Sequence, residues 1–234
     1  MASRSRSCTK GWTCAGTIDL KPGSRAFRRW VKAALWPLFL APFIVLALSA
    51  FELFGLDLGA NPVEALMHSL GKWGLKFLLI TLTITPLRRW TGWSALVSYR
   101  RLFGLFAFFY LAMHFTVYLV LDQTLNLGLV IEDVIERPYI TLGMTALLLL
   151  LLLALTSTRG MMRRLGRRWK RLHWMIYPAA VLGVWHFYWQ VKLDTLEPTI
   201  YALILALLLG SRWWHWRRQR SGLTQAGSTV QPAR

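Results

Sequence analysis

The sequence predicts an all-α membrane protein, a polytopic bundle of six transmembrane helices with both termini cytoplasmic. Three observations predict it. Of 234 residues, 55% are hydrophobic although the formal net charge is +18, so the charge must be segregated from the apolar residues. Residues 33–51, 102–121, 138–158 and 172–191 contain no Asp, Glu, Lys or Arg. Each is about 20 residues long, enough to cross roughly 30 Å of hydrocarbon as a helix. Finally, 24 of the 28 Lys and Arg fall in segments 1–32, 88–101, 159–171 and 212–234, while nine of the ten acids fall in the intervening segments. That alternation is the positive-inside pattern. It also removes a nucleic-acid-binding reading, because the charge is spread over four loops and forms no single groove-binding patch.

Each element follows in chain order. Residues 1–29 read as a disordered basic tail; they include Asp19 and lack the apolar core of a signal peptide. The two cysteines, Cys8 and Cys14, lie in this tail, and no CxxC or CxxCH occurs, so neither covalent haem attachment nor a thiol redox pair is indicated. The six-helix domain covers 30–216. Its second span opens at Asn61, a capping residue, with Pro62 suited to the first helical position and Glu64 in the first turn. It is expected to end near Pro86, with Lys72 and Lys76 on one face. The fourth span ends at Thr156-Ser157-Thr158, and Pro178 can kink the fifth. The sixth, 199–211, is short; "RWWHW" after it can anchor it at the interface, with Arg212 snorkelling. Residues 217–234 form a polar tail.

Histidines carry the chemistry. His114 lies 13 residues beyond Arg101 and His186 lies 15 beyond Arg171, on spans that both run outward from cytoplasmic arginines. At about 1.5 Å per residue these depths are about 20 and 22 Å, which sets the two rings at one level. Two imidazoles at equal depth on two helices are what a six-coordinate b-type haem requires, one nitrogen from each side of the iron. The alternative is that each ring bonds a backbone carbonyl or lines a polar cavity. His173 is two residues past Arg171, near the cytoplasmic face and about 20 Å along the helix from His186. Lys76, about ten residues from Pro86, is a candidate cation for a haem propionate or a quinone oxygen, against snorkelling or a bond to a carbonyl. The basic loop 159–171 can hold a phosphate, although topology already accounts for its charge.

From about Trp30 to His215 the chain resembles the MsrQ (YedZ) family within the ferric-reductase-like transmembrane group. The resemblance rests on "GKWGLKFLLITLTITPLRR", "RRLFGLFAFFYLAMHFTVYLVLD", "ERPYITLG", "LALTSTRGMMRRLGRRWKRLHWMIY" and "HFYWQVK". It implies a multi-pass subunit of the bacterial inner membrane. Such a subunit passes electrons from respiratory quinol to a periplasmic molybdopterin-containing methionine-sulfoxide reductase subunit, which repairs oxidised proteins. It implies haem b held by His114, His173 and His186, and FMN, for which these residues contain no motif. Two departures bear on it. Ferric reductases carry two histidines on each of two helices, whereas here the third-span positions opposite His173 are Arg100 and Arg101; one haem is implied and a second stays open. No GxGxxG and no nicotinamide-binding domain follow the sixth span, so a quinol or a separate flavoprotein must be the donor. The rival readings are a stand-alone transmembrane haem reductase acting on ferric ions or oxygen, and a non-redox transporter or assembly factor.

Overall fold

The structure, a computed structural model, describes residues 25–55, 57–191 and 195–228. The expectations for Cys8, Cys14 and the rest of 1–24, and for Asp194, lie outside the described residues. Regular structure among the described residues is entirely helical. The chain divides into two units, 1–38 and 39–234. Helix α1 (Arg25–Ala50) begins inside the segment expected as a tail; the packing contacts and the cavity below belong to the second unit.

Helix α2 (Pro62–Thr91) begins where its chemistry predicts. Asn61 accepts from the Glu64 backbone N–H at 3.5 Å and donates to the Glu64 carboxylate at 2.8 Å, a reciprocal cap. It does not end at Pro86. It continues to Thr91 and stops at Gly92, whose φ of 72° lets its N–H close on Arg88 O at 2.9 Å. Proline inside a helix frees the carbonyl four residues earlier, here that of Leu82. Arg212 Nη2 donates to that carbonyl at 2.7 Å. The side chain expected to snorkel outward is turned inward instead, against a backbone group that Pro86 left without its helical partner.

Helix α3 (Val97–Val117) follows and is extended by a π turn over Tyr118–Asp122. It packs closely on α2: a Cβ at Gly74 would sit 2.5 Å from Leu111 Cγ, so glycine makes room for Leu111. Around Phe39 the rings of Phe77, Phe103 and Phe106 lie with centroids at 5.1, 4.8 and 5.3 Å. Beside them, just past Pro42, the buried Tyr110 hydroxyl donates to Phe39 O at 2.7 Å and accepts from Phe43 N–H at 3.0 Å. The hydroxyl thus ties α3 to two backbone groups of α1 that lie one turn apart.

A short helix α4 (Leu127–Glu136), unforeseen in the sequence, is capped by Asn126 and leads into α5 (Pro138–Leu155). The basic connection folds as α6 (Arg159–Leu165) and α7 (Arg167–Leu172). The expected fifth span is not one straight helix. His173–Met175 forms a 3₁₀ turn, and α8 (Ile176–Gln190) starts after it, placing Pro178 in the first turn, where its missing N–H costs nothing. Helix α9 (Leu196–Ser228) continues well past the expected sixth span, into the polar tail.

The two largest pairings are α2 with α3 and α5 with α8; α3 touches α5, and α9 packs on α8 and α2. Two hairpins therefore face one another. Among the described residues, four stretches are long and apolar enough to cross a membrane: Arg29–Ala50, Ser94–Asp122, Pro138–Leu155 and Leu196–Gln219. Helices α2 and α8 fall short of that criterion for physical reasons. Helix α2 carries Glu64, Lys72, Lys76, Arg88 and Arg89, and α8 has 15 residues, about 22 Å. These two helices also line the cavity between the hairpins.

Candidate functional site

The cavity measures about 770 Å³, within the roughly 300–1,000 Å³ of small-molecule and cofactor sites. Its wall is graded. Along α2 the lining runs from Glu64 and His68 through Lys72 to Leu75 and Leu78, one stripe at helical spacing. Along α8, which runs the opposite way, it passes from Ala179 through Gly183 and His186 to Gln190. One end is therefore polar and acidic, the other apolar.

His114 on α3 and His186 on α8 enter between these ends. Their ring centroids are 6.3 Å apart, with planes at 76°. His114 Nδ1 lies 2.8 Å from Met67 O, and His186 Nδ1 lies 2.7 Å from Tyr139 O. A carbonyl only accepts, so both Nδ1 atoms carry the proton and both Nε2 lone pairs are free to ligate. Each ring also lies against a glycine one turn beyond its carbonyl. A Cβ at Gly71 would be 3.2 Å from His114 Nδ1, and one at Gly143 would be 2.9 Å from His186 Nδ1. Carbonyl, glycine and bare ring face thus fix each imidazole from the neighbouring helix.

Sequence reasoning missed this support, although a signal for it exists. Ser69-Leu70-Gly71 and His114-Phe115 recur at identical spacing as Thr141-Leu142-Gly143 and His186-Phe187, and each histidine stands 47 residues beyond its carbonyl. The two hairpins present one imidazole each by the same device. No cluster of three or more His, Cys, Asp or Glu side chains converges among the described residues. A two-imidazole site of this kind suits a metal that brings its other ligands with it, as iron does in a macrocycle.

Known proteins resemble the chain over most of its length. A family profile described as the ferric reductase like transmembrane component matches residues 70–184. Proteins named "Protein-methionine-sulfoxide reductase heme-binding subunit MsrQ" align over most of the chain. That of Xanthomonas campestris pv. campestris (strain 8004) is 52% identical over 175 residues, covering 75% of this chain and 79% of its own length. That of Xanthomonas oryzae pv. oryzae (strain MAFF 311018) is 47% identical over 196 residues, 82% and 89% of the two chains. The Rhodospirillum rubrum protein is 52% identical over 186 residues, 79% and 89%. The chain belongs to the MsrQ family.

In this MsrQ-family chain the other expected site residues lie elsewhere. Lys76 is exposed, with its ammonium 4.7 Å from the Trp73 ring centroid, and it is not part of the cavity wall. Two cations line the cavity instead: Arg137, and Lys72 one turn before Lys76 on α2, the latter paired with Glu197 at 2.6 Å. His68, also in the wall, has Nε2 2.6 Å from Gln190 Nε2; the amide donates to the ring nitrogen. His173 lies outside the cavity, in the 3₁₀ turn. Its Nε2 is 3.4 Å from Ser157 Oγ, its ring stacks on Trp169 at 3.9 Å, and its Nδ1 is buried with no hydrogen-bond partner. Close by in sequence on α8, Tyr177 hydrogen-bonds Arg212, whose guanidinium carbon is 4.9 Å from the Tyr177 ring centroid. Arg212 Nε, like His173 Nδ1, is buried and unpaired. His215 bonds Gln219 one turn along α9.

Proposed function

We propose that this chain is the haem-binding electron-transfer subunit of a periplasmic protein-methionine-sulfoxide reductase system in the bacterial inner membrane. Electrons come from respiratory quinol and go to a molybdopterin-containing subunit on the periplasmic side. The chemistry balances: quinol gives up two electrons and two protons, and the sulfoxide takes up two of each to yield methionine and water. In this reading the six helices α1, α2, α3, α5, α8 and α9 cross the membrane, with both termini and the arginine-rich end cytoplasmic.

The observation that carries the proposal is the pair His114 and His186. Two metal–imidazole bonds of about 2 Å each, with rings about 1 Å from nitrogen to centre, require centroids about 6 Å apart; the observed separation is 6.3 Å. Both rings keep Nε2 free, held by backbone carbonyls that fix tautomer and orientation and raise ligand basicity. The residues therefore fit a b-type haem. Bound there, it supplies a one-electron relay. The chain's own residues do the rest: His114 and His186 ligate, Met67 O and Tyr139 O hold their protons on Nδ1, and Leu75, Leu78, Leu150 and Ala179 exclude water from the apolar end.

His173 serves the electron-receiving end. It sits one 3₁₀ turn before α8, among the basic segments and packed between Trp169 and Ser157, where its Nε2 can donate to or accept from a quinone carbonyl or a flavin. The test is stopped-flow reduction of the purified protein by quinol. His173→Ala is expected to keep the haem absorbance while its reduction slows. A wild-type rate removes His173 from the pathway, and a colourless wild-type protein ends the whole proposal.

A further inference from the structure

The cavity wall is amphipathic in one direction, and one cation stands at the boundary. On α2 the residue after Gly71, which packs under His114, is Lys72; the stripe is polar before it at Glu64 and His68 and apolar after it at Leu75 and Leu78. Lys72 Nζ meets Glu197 Oε2 at 2.6 Å, with both side chains between one third and two fifths exposed. The pair joins α2 to the first turn of α9 across the polar end of the cavity. The other cation of the wall, Arg137, is paired as well, with Asp133 on its own segment at 3.2 Å, but it is half exposed, so Lys72 is the more enclosed of the two. Glu64, Asp122 and Glu197 supply negative charge at that end. A ligand with one apolar edge and one carboxylate edge, as haem has, can match this gradient only with its carboxylates toward the polar end, and Lys72 is the cation placed to receive them.

We infer that Lys72 is the carboxylate anchor of this site. It gives up Glu197 to bind a propionate, and Glu197 competes for the same ammonium. The inference rests on the haem proposal and assigns the orientation of the group within the cavity. An ammonium–carboxylate contact in a partly buried, charge-assisted geometry is stronger than an exposed pair. Lys72→Met is therefore expected to bind ferric protoporphyrin IX about tenfold more weakly than wild type. Glu197→Gln should bind it as tightly as wild type or tighter, Lys72→Arg should bind close to wild type, and Lys76→Met should be unchanged.

The test titrates detergent-purified full-length protein with two probes, ferric protoporphyrin IX and its dimethyl ester, which lacks the carboxylate charges. Low-spin absorbance at the His114–His186 site is the readout. If the lysine acts on the propionate, wild type and Lys72→Met bind the ester equally. Their difference appears with the free acid alone, and the midpoint potential of bound haem falls in Lys72→Met, because a positive charge near the iron has been lost. Equal weakening for acid and ester, or an unchanged affinity for the acid, overturns the inference. A wild type that binds neither probe overturns the haem proposal itself, and the two failures are distinct.

Discussion

Gly143→Ala is the sharpest perturbation that the geometry offers. The added Cβ would lie 2.9 Å from His186 Nδ1, 3.0 Å from Cε1 and 3.2 Å from Cγ, where ordinary contact begins at 3.4 Å. The obstacle is a ring tied to Tyr139 O at 2.7 Å, with no flexible end that could swing aside. Either the imidazole retreats by about 0.5 Å or α5 and α8 separate. That displacement is about the tolerance of a preorganised site, and disturbing the groups behind a metal ligand costs about 10–100-fold in affinity. At Gly71 the nearest approach is 3.2 Å, so the His114 ring needs a retreat of only about 0.2 Å. The expected outcome is a ranking: Gly143→Ala binds haem about tenfold more weakly, about 1.4 kcal/mol, and Gly71→Ala weakens binding by clearly less. Titrating haem into the purified proteins and following absorbance measures both. Wild-type affinity in Gly143→Ala, or a larger loss in Gly71→Ala, refutes the claim that the glycines set the ring positions.

Two further outcomes follow. Tyr110→Phe removes the hydroxyl that bonds both Phe39 O and Phe43 N–H; losing these buried bonds between α3 and α1 should destabilise the bundle by about 1–2 kcal/mol, and an unchanged thermal midpoint would show that they contribute nothing. For topology, a reporter fused after Arg220 should read cytoplasmic and one inserted near Gly128 periplasmic, and the opposite result at either point breaks the six-span arrangement.

The helical class and the approach of His114 to His186 were legible because they rest on features that sequence displays directly: run length, charge alternation and depth counted from arginines. What was not legible depends on azimuth and on backbone groups. Lys72 and Lys76 share a helical face when four residues are counted along an ideal helix, yet only Lys72 reaches the cavity, since each step of four residues rotates the side chain by about 40°. The carbonyls of Met67 and Tyr139 belong to the backbone, and no side-chain pattern names them. Arg212 was read as an interfacial anchor because its neighbours are tryptophans; the carbonyl that draws it inward exists because Pro86 lies inside α2, a contact between elements distant in sequence. The 3₁₀ turn at His173 was hidden for the opposite reason: an uninterrupted apolar run gives no sign of where a helix changes its winding.

Ligation of one haem by His114 and His186 from opposite hairpins is read directly from the visible and electron paramagnetic resonance spectra of the purified protein. A low-spin, bis-imidazole b-type signature is expected in the wild type, with its loss in both His114→Ala and His186→Ala. A full low-spin spectrum in both variants would contradict it.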